Sequence, residues 1–246
     1  MILKISPFKM NMFIQCPRRY KYHYVDSLIK QYKKDWPRLT MGQNVHATLF
    51  DLFEKTPPQS RNYERAEAIL RLKWSANHKG FKDKDEERKY GLTALSQLRK
   101  FCESENLGSI PFRLEKFHEA RLDAEVILNG KIDRIDKLPD GSLHIIDYKT
   151  GEISRESDDL QLVIYYLLVS LNFSLPIAKV SNLYLDNCEY YTITPTRGQI
   201  DATIVRIKEV AKQIAIEKEF QAKVGPLCKF CDFVEICDEG QNYCGQ

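Results

Sequence analysis

The segment IIDYKTG, residues 145–151, ends an apolar run with a carboxylate and an ammonium group. Ile145 and Ile146 are β-branched and favour a buried strand. Side chains alternate between the two faces of a strand, so Asp147 and Lys149 point to the same side. Burying a charged pair on the inner face of a sheet costs several kcal/mol of stability, so such a pair indicates a function. This strand end is therefore a candidate site of chemistry.

A hairpin predicts a second carboxylate opposite the first. Pro139-Asp140-Gly141 is a strong turn signal, and a three-residue loop there pairs Leu138 with Ser142. In that register Asp133 faces Asp147, with Cβ atoms roughly 4.5–5.5 Å apart, where like charges repel. A divalent cation between them would remove the repulsion, and carboxylate oxygens suit Mg²⁺ or Mn²⁺. A surface cluster of salt bridges on an edge hairpin is the alternative.

Chemistry on a phosphate fits this arrangement, because such an ion polarises a phosphate and lowers the pKa of its bound water. Lys149 is suited to hold the attacking water or to stabilise charge on the phosphate. Gln161 and Tyr165 are one helical turn apart and are expected to face the site together. His46, in the middle of its predicted helix, is a candidate ligand nitrogen.

The elements that position these residues follow from the hydrophobic pattern. Helices are predicted from residue 7 to Cys16-Pro17, over 41–54, over 61–106 with a break at 77–83, over 158–171 and over 197–223, and strands over 113–118, 121–128, 130–138, 143–149, 179–185 and 189–194. Ser6 is the predicted N-cap of the first helix, with Pro7 in its first turn. This order predicts an α/β fold with one central mixed sheet flanked by helices.

The composition is typical of a folded protein without a membrane anchor. The 246 residues are 43% hydrophobic and 11% aromatic, which allows a sizeable core. The longest apolar run, Leu162 to Val169, is too short to span a bilayer, and residues 1–10 lack the features of a secretory signal. We therefore expect a cytoplasmic protein with no membrane partner, whose seven cysteines do not form disulfides.

The first forty residues are basic and aromatic. They carry a net charge of +7, whereas the whole chain carries +3, and they contain seven aromatic residues. Cations that hold phosphates and rings that stack on bases suit single-stranded nucleic acid. The alternative is a solvated amphipathic helix whose aromatic residues belong to the core.

Three cysteines, Cys228, Cys231 and Cys237, form a C-x2-C-x5-C pattern. The spacing leaves a structural zinc site and an iron–sulfur site both open, since each needs four soft ligands. The fourth ligand would come from another cysteine or a histidine. Ordinary buried thiols are the remaining alternative.

The motifs together resemble a known family. They are GQNVH (42–46), GKIDRID (130–136) and IIDYKTG (145–151), followed by Gln161 and Tyr165. In order and spacing they resemble the PD-(D/E)XK nuclease superfamily, most of all the RecB-type nuclease domain and the CRISPR-associated iron–sulfur exonucleases that share it. The resemblance implies metal-dependent hydrolysis of phosphodiester bonds in DNA on a restriction-endonuclease-like core. The residues it implies are the metal ligands His46, Asp133, Asp147 and the carbonyl of Tyr148, the catalytic Lys149, and the accessory pair Gln161 and Tyr165. Glu115, where relatives often carry an acid, is interpreted as structural or supporting.

The N-terminal motif FIQCPRRYKY resembles the first cysteine segment of the iron–sulfur members. The resemblance implies a [4Fe–4S] cluster held by Cys16, Cys228, Cys231 and Cys237, with Zn²⁺ as the alternative. Arg18, Arg19, Tyr20 and Lys21 are the predicted DNA-binding residues of this segment. We predict a single domain over 1–246, with basic helices and the first cluster cysteine (1–56), a helical insertion (57–111), the nuclease core (112–196), and a C-terminal helix with the cysteine cluster (197–246).

The predicted substrate is single-stranded DNA or DNA with overhangs, cut from its ends. The CRISPR-associated branch implies trimming of DNA that is about to be integrated as a spacer, with integration proteins as partners. A recombination or repair nuclease, an RNA nuclease, and a binding module that keeps the fold without cutting are the alternatives.

Overall fold

The computed structural model describes residues 2–151 and 159–245. Along the chain the elements are β1 (Leu3–Ile5), α1 (Pro7–Gln15), α2 (Pro17–Tyr20), a π-helical turn (Lys21–Val25), α3 (Ile29–Tyr32), α4 (Pro37–Lys55), a 3₁₀ turn (Pro58–Ser60), α5 (Tyr63–Ala76), α6 (Lys84–Ser104), β2 (Arg113–Arg121), β3 (Val126–Lys137), β4 (Leu143–Lys149), α7 (Asp159–Asn172), β5 (Ile177–Tyr184), β6 (Glu189–Ile193), α8 (Arg197–Ile216), two 3₁₀ turns (Pro226–Phe230 and Val234–Ile236) and α9 (Asp238–Cys244). Within the described ranges, no helix is both long and apolar enough to cross a bilayer.

The chain divides into two compact units, each built from separate segments. The first unit comprises Met1–Lys34, Ala120–Asn129 and Asp201–Gln246, and the second comprises Asp35–Glu119 and Gly130–Ile200. Strand β3 contributes to both, because its first residues belong to the first unit and the rest to the second.

The second unit contains a mixed sheet. The end of β3 runs antiparallel to β4, with Arg134 opposite Ile146. Strand β4 runs parallel to β5, and β5 runs antiparallel to β6. Strand β2 also pairs with β3. The predicted α/β fold with a central mixed sheet is confirmed.

Helices α4, α5 and α6 cover this sheet with an apolar cluster. Val45 and Leu49 of α4 and Phe101 of α6 are fully buried against Ile146 and Tyr148 of β4. Complete burial of one such side chain stabilises the fold by about 1.5–3 kcal/mol. The cluster therefore fixes the strand that carries Asp147 and Lys149 relative to helix α4. Helix α7 packs against β5 of the same sheet.

In the first unit, β1 pairs in parallel with the start of β3, and α1 follows directly. The Ser6 side chain accepts a hydrogen bond from the Lys9 backbone N–H at 3.1 Å, so the predicted N-cap is confirmed. Tyr20 is buried at 2% exposure, with its ring 5.3 Å from that of Phe13. The aromatic residue Phe220 stacks parallel to Tyr20, with the ring centroids 6.4 Å apart.

Several predicted boundaries are wrong, each for a local reason. The two strands expected over 121–128 and 130–138 are mostly one strand, β3, because Gly130 continues the extended chain. Helix α8 ends at Ile216 rather than near 223, since the Glu217 side chain accepts the Phe220 N–H and Phe220 adopts φ 47°. Helix α4 begins four residues earlier than expected, at Pro37, which suits a first helical turn. The three-residue strand β1 is too short to show a period and was not expected. The predicted start of α7 at residue 158 lies outside the described residues.

Candidate active site

The hairpin of β3 and β4 brings two carboxylates together. The paired residues follow the predicted register, from Lys137 opposite Leu143 to Arg134 opposite Ile146. Asp133 directly precedes Arg134 and Asp147 directly follows Ile146, and both aspartates are buried, at 7% and 6% exposure. One oxygen of Asp133 accepts the backbone N–H of Tyr148 at 2.8 Å. That bond fixes one edge of the carboxylate and leaves the other edge for another partner.

His46 and Glu115 complete a group of possible metal ligands with Asp133. One ligand atom from each of the three lies within 4.8 Å of the other two. The Nδ1 atom of His46 is 3.3 Å from Asp133 Oδ1 and 3.8 Å from Glu115 Oε1. Glu115 adopts φ 48°, a conformation that is costly for a side chain of this size within a strand. The fold therefore tolerates backbone strain at the residue that points a carboxylate at His46.

The charges of this group perturb one another. Burial alone would lower the pKa of His46, but the carboxylates of Asp133 and Glu115 outweigh burial and raise it to about 10. Burial alone would raise the pKa of Glu115, yet the neighbouring His46 and Lys131 hold it below its usual range. Lys131 forms an ion pair with Glu115. The Glu115 carboxylate therefore holds negative charge at neutral pH, as a ligand of a hard cation must.

A second set of side chains forms a chain of contacts beside Asp147. The Lys149 ammonium lies 2.6 Å from Asp147 Oδ2 and donates to Gln161 Oε1 at 2.8 Å. The Gln161 amide in turn donates to the Tyr165 hydroxyl at 3.0 Å. Burial and the charge of Asp133 raise the pKa of Asp147 to about 6, although Lys149 opposes the shift. The predicted accessory pair thus holds the predicted catalytic lysine in place.

Two glycines allow these contacts. A Cβ at Gly130 would lie 3.3 Å from Tyr165 Cε1, so a glycine at this position of β3 leaves room for the tyrosine ring. A Cβ at Gly42 would lie 3.0 Å from Thr150 Oγ1, so helix α4 passes close to the end of strand β4. Both glycines belong to the motifs GKIDRID and GQNVH, and their role is steric.

The donor set fits a divalent metal ion. Carboxylate oxygens with one imidazole suit Mg²⁺ or Mn²⁺. The structure brings together His46, Asp133, Asp147, Lys149, Gln161 and Tyr165 as expected from the sequence. The structure also places Glu115 in this group. From the sequence alone, its carboxylate is interpreted as structural or supporting. The signal available in the sequence was an acid that interrupts the alternation of a strand. The Tyr148 carbonyl stays a predicted ligand.

The four predicted cluster cysteines lie in the first unit and line one small cavity of about 30 Å³. Burial raises the pKa of Cys231 and of Cys237. In the second unit, Cys102 and Cys188 pack against the apolar cluster, whereas Cys244 of the first unit is exposed. The topology thus brings Cys16 to the C-terminal cysteines, more than 200 residues away along the chain.

The predicted DNA-binding residues differ in accessibility. The ring of Tyr20 is buried and is not accessible to a nucleotide base. Arg18 donates to the Phe220 carbonyl at 2.9 Å and pairs with Glu239. Lys21 pairs with Asp26 at 3.8 Å. For these cations, and for Arg19, contact with DNA stays a prediction.

Comparison with known proteins assigns the family. A family model described as the PD-(D/E)XK nuclease superfamily matches residues 4–238. The chain belongs to this superfamily. It is similar to one subunit of the ATP-dependent helicase/deoxyribonuclease of Streptococcus mutans, with 40% identity over 82 residues that make up 32% of this chain and 7% of that protein. The corresponding protein of Streptococcus agalactiae is 26% identical over 163 residues, covering 65% of this chain and 15% of the relative.

The chain thus spans at most 15% of the length of these curated relatives. Among solved structures it is similar to one from Eubacterium rectale, described as a proposed exonuclease, with a TM-score of 0.60. That match covers 97% of this chain and 87% of the other, at 13% sequence identity. At this identity the likeness supports the fold.

Proposed function

We propose that this protein is a metal-dependent DNA nuclease that hydrolyses phosphodiester bonds. One observation carries the proposal, namely the convergence of His46, Glu115 and Asp133 beside the contact chain from Asp147 through Lys149 to Gln161. A structural ion-pair cluster on an edge hairpin would be exposed, whereas both aspartates here are buried. A binding module without activity would have no use for two buried carboxylates beside a lysine at this cost.

The chain's own residues would divide the work between them. His46, Glu115, Asp133 and Asp147 would hold the ion, which when bound would polarise the phosphate and activate water. Lys149 places an ammonium beside the carboxylates, where it would orient the attacking water or stabilise negative charge on the phosphate. Gln161 fixes the lysine amine, and the Tyr165 hydroxyl fixes the orientation of the Gln161 amide.

Cleavage of a strand labelled at its 5′ or 3′ end tests this function. Wild type and Lys149→Ala are compared with Mg²⁺, Mn²⁺ or EDTA, with Lys89→Ala as a matched control because Lys89 is an exposed residue of α6. We expect metal-dependent cutting that falls at least about 100-fold in Lys149→Ala and is unchanged in Lys89→Ala. Wild type that binds strands but cuts neither DNA nor RNA would contradict the proposal, and the label pattern would report polarity.

Free single-stranded ends or overhangs are the substrate we infer. The similarity to helicase/deoxyribonuclease proteins favours a role in recombination or repair over the trimming of spacer precursors for CRISPR integration proteins. The two roles differ in partner, so copurification with a helicase or with integration proteins would distinguish them. RNA strands in the cleavage assay test the remaining alternative substrate.

We further propose that Cys16, Cys228, Cys231 and Cys237 hold a [4Fe–4S] cluster. All four line one cavity of the first unit. The preference for a cluster over a single Zn²⁺ ion rests on the resemblance of the FIQCPRRYKY segment to the iron–sulfur members, since either group would take four soft ligands. Such a cluster would join segments far apart in sequence and so reduce the entropy of the unfolded chain.

Anaerobic purification followed by iron, sulfide and zinc analysis tests this second proposal. Wild type should contain iron and sulfide with visible absorption, Cys228→Ser should lose both, and Cys244→Ser should retain them because Cys244 is exposed. Zinc without iron would support the alternative ion, and neither metal would mean that the four residues are ordinary thiols.

A further inference from the structure

A cleft of about 720 Å³ opens onto the group of His46, Glu115 and Asp133. One side of helix α4 lines it, because Arg38, Gly42, His46 and Phe50 follow one another at intervals of four residues. At 1.5 Å per residue this stripe extends about 12 Å from His46 toward Arg38 and about 6 Å toward Phe50. The cleft therefore continues on both sides of the candidate metal site.

The cations of the cleft differ in how they are paired. Lys131 forms an ion pair with Glu115. Arg38 and Lys116 also line the cleft and are exposed, and neither has an ion-pair partner among residues 2–151 and 159–245. A centre rich in carboxylates repels a polyanion, and unpaired cations in the same cleft offset that repulsion. Arg38 and Lys116 are thus available for phosphates that flank the reacting one.

The same stripe presents an aromatic ring at its other end. Phe50 is half-buried, because part of its ring packs against the apolar cluster of the second unit. The packed part fixes the ring, and the remaining part faces the cleft. A fixed aromatic ring is a stacking platform for any nucleotide base whose partner strand is absent.

We propose that this cleft binds a single nucleic-acid strand across the site, with Arg38 and Lys116 on phosphates away from the reacting one and Phe50 against an unpaired base. The proposal rests on the nuclease function and deepens it by assigning the preference for single strands to helix α4. The basic N-terminal segment is not needed for that preference.

Salt-dependent binding of a fluorescent single strand in EDTA tests the phosphate contacts. Arg38→Gln and Lys116→Gln should each lower the slope of log affinity against log salt by about 0.7. The matched controls are Arg88→Gln and Lys89→Gln, which remove exposed cations from α6 outside the cleft and should leave the slope unchanged. Equal slopes for wild type and both cleft variants would overturn the assignment.

Strands with one neutral methylphosphonate at successive positions locate the contact during cleavage. Wild type should lose roughly 10-fold in rate when the phosphate bound by Arg38 is neutral. Arg38→Gln should lose a similar factor on the ordinary strand and become insensitive at that one position. An abasic position should slow wild type and leave Phe50→Leu unaffected, since leucine retains the packing of the buried part.

The outcomes separate this inference from the nuclease function. If wild type cuts but Arg38→Gln keeps every positional sensitivity, the cleft assignment is wrong and the nuclease function stands. If wild type cuts no strand, the nuclease function is wrong, and the salt slopes measured in EDTA still decide whether the cleft holds a strand.

Discussion

Replacing Asp147 with asparagine should make the metal-free protein more stable at neutral pH while removing a ligand from the candidate site. Burial and the charge of Asp133 raise the pKa of Asp147 to about 6 from its ordinary 3.8. Because the folded state binds this proton more tightly than the unfolded chain, stability is lost as the pH rises from about 4 to about 6. At 1.36 kcal/mol per pH unit the ionised group costs about 3 kcal/mol, which asparagine avoids.

Thermal unfolding in EDTA between about pH 4 and pH 8 measures this cost. For a chain of this size, about 3 kcal/mol corresponds to a melting temperature roughly 6–12 °C higher for Asp147→Asn at pH 8. The difference should vanish near pH 4, where wild-type Asp147 is protonated. Asp51→Asn is the control and should lower the melting temperature at pH 8, because Lys55 and Lys73 outweigh burial and lower the pKa of Asp51. If Asp147→Asn melts at or below wild type at pH 8, the argument from burial and like-charge repulsion is refuted.

Three further outcomes follow from single contacts. Binding of Mn²⁺ near pH 8 should release close to one proton, because His46 has a pKa of about 10 in the metal-free site and must be neutral as a ligand. Calorimetry in two buffers of different ionisation enthalpy counts the released protons. A count of zero would contradict the assignment of His46 as a metal ligand. Gly130→Val should slow single-turnover cleavage at least about tenfold by displacing the Tyr165 ring. The control variant Gly198→Ala should cut at the wild-type rate, because a Cβ at that position would face open space. Equal rates for the two variants would mean that the Tyr165 ring does not position Lys149. Burial lowers the pKa of His144 to about 4, so stability should fall as the pH drops from about 6.5 to about 4, and His144→Gln should show a shallower decline in melting temperature over that range.

The hairpin of β3 and β4 could be predicted because each step depends on neighbouring residues. The turn Pro139-Asp140-Gly141 sets the register, and the observed pairs lead up to Arg134 opposite Ile146, next to Asp133 and Asp147. The role of Glu115 in the candidate site could not be predicted in the same way. Its carboxylate reaches the site because a single residue adopts φ 48°, and no local sequence pattern requires that conformation of a glutamate. Likewise, the burial of Tyr20 depends on Phe220, which lies two hundred residues further along the chain.

Burial and an excess of carboxylates together explain the perturbed pKa values of the candidate site. Glu115, Asp133 and Asp147 converge there. Lys149 pairs with Asp147, and the exposed Lys131 pairs with Glu115. The imidazole of His46 responds by holding a proton far above its ordinary pKa, and Asp147 responds by holding one above its own. Salt bridges exposed on the hairpin surface would be screened by solvent and would shift these pKa values less. A divalent cation is the species whose charge would relieve both shifts at once, and it is the species that hydrolysis of a phosphodiester at this site would use.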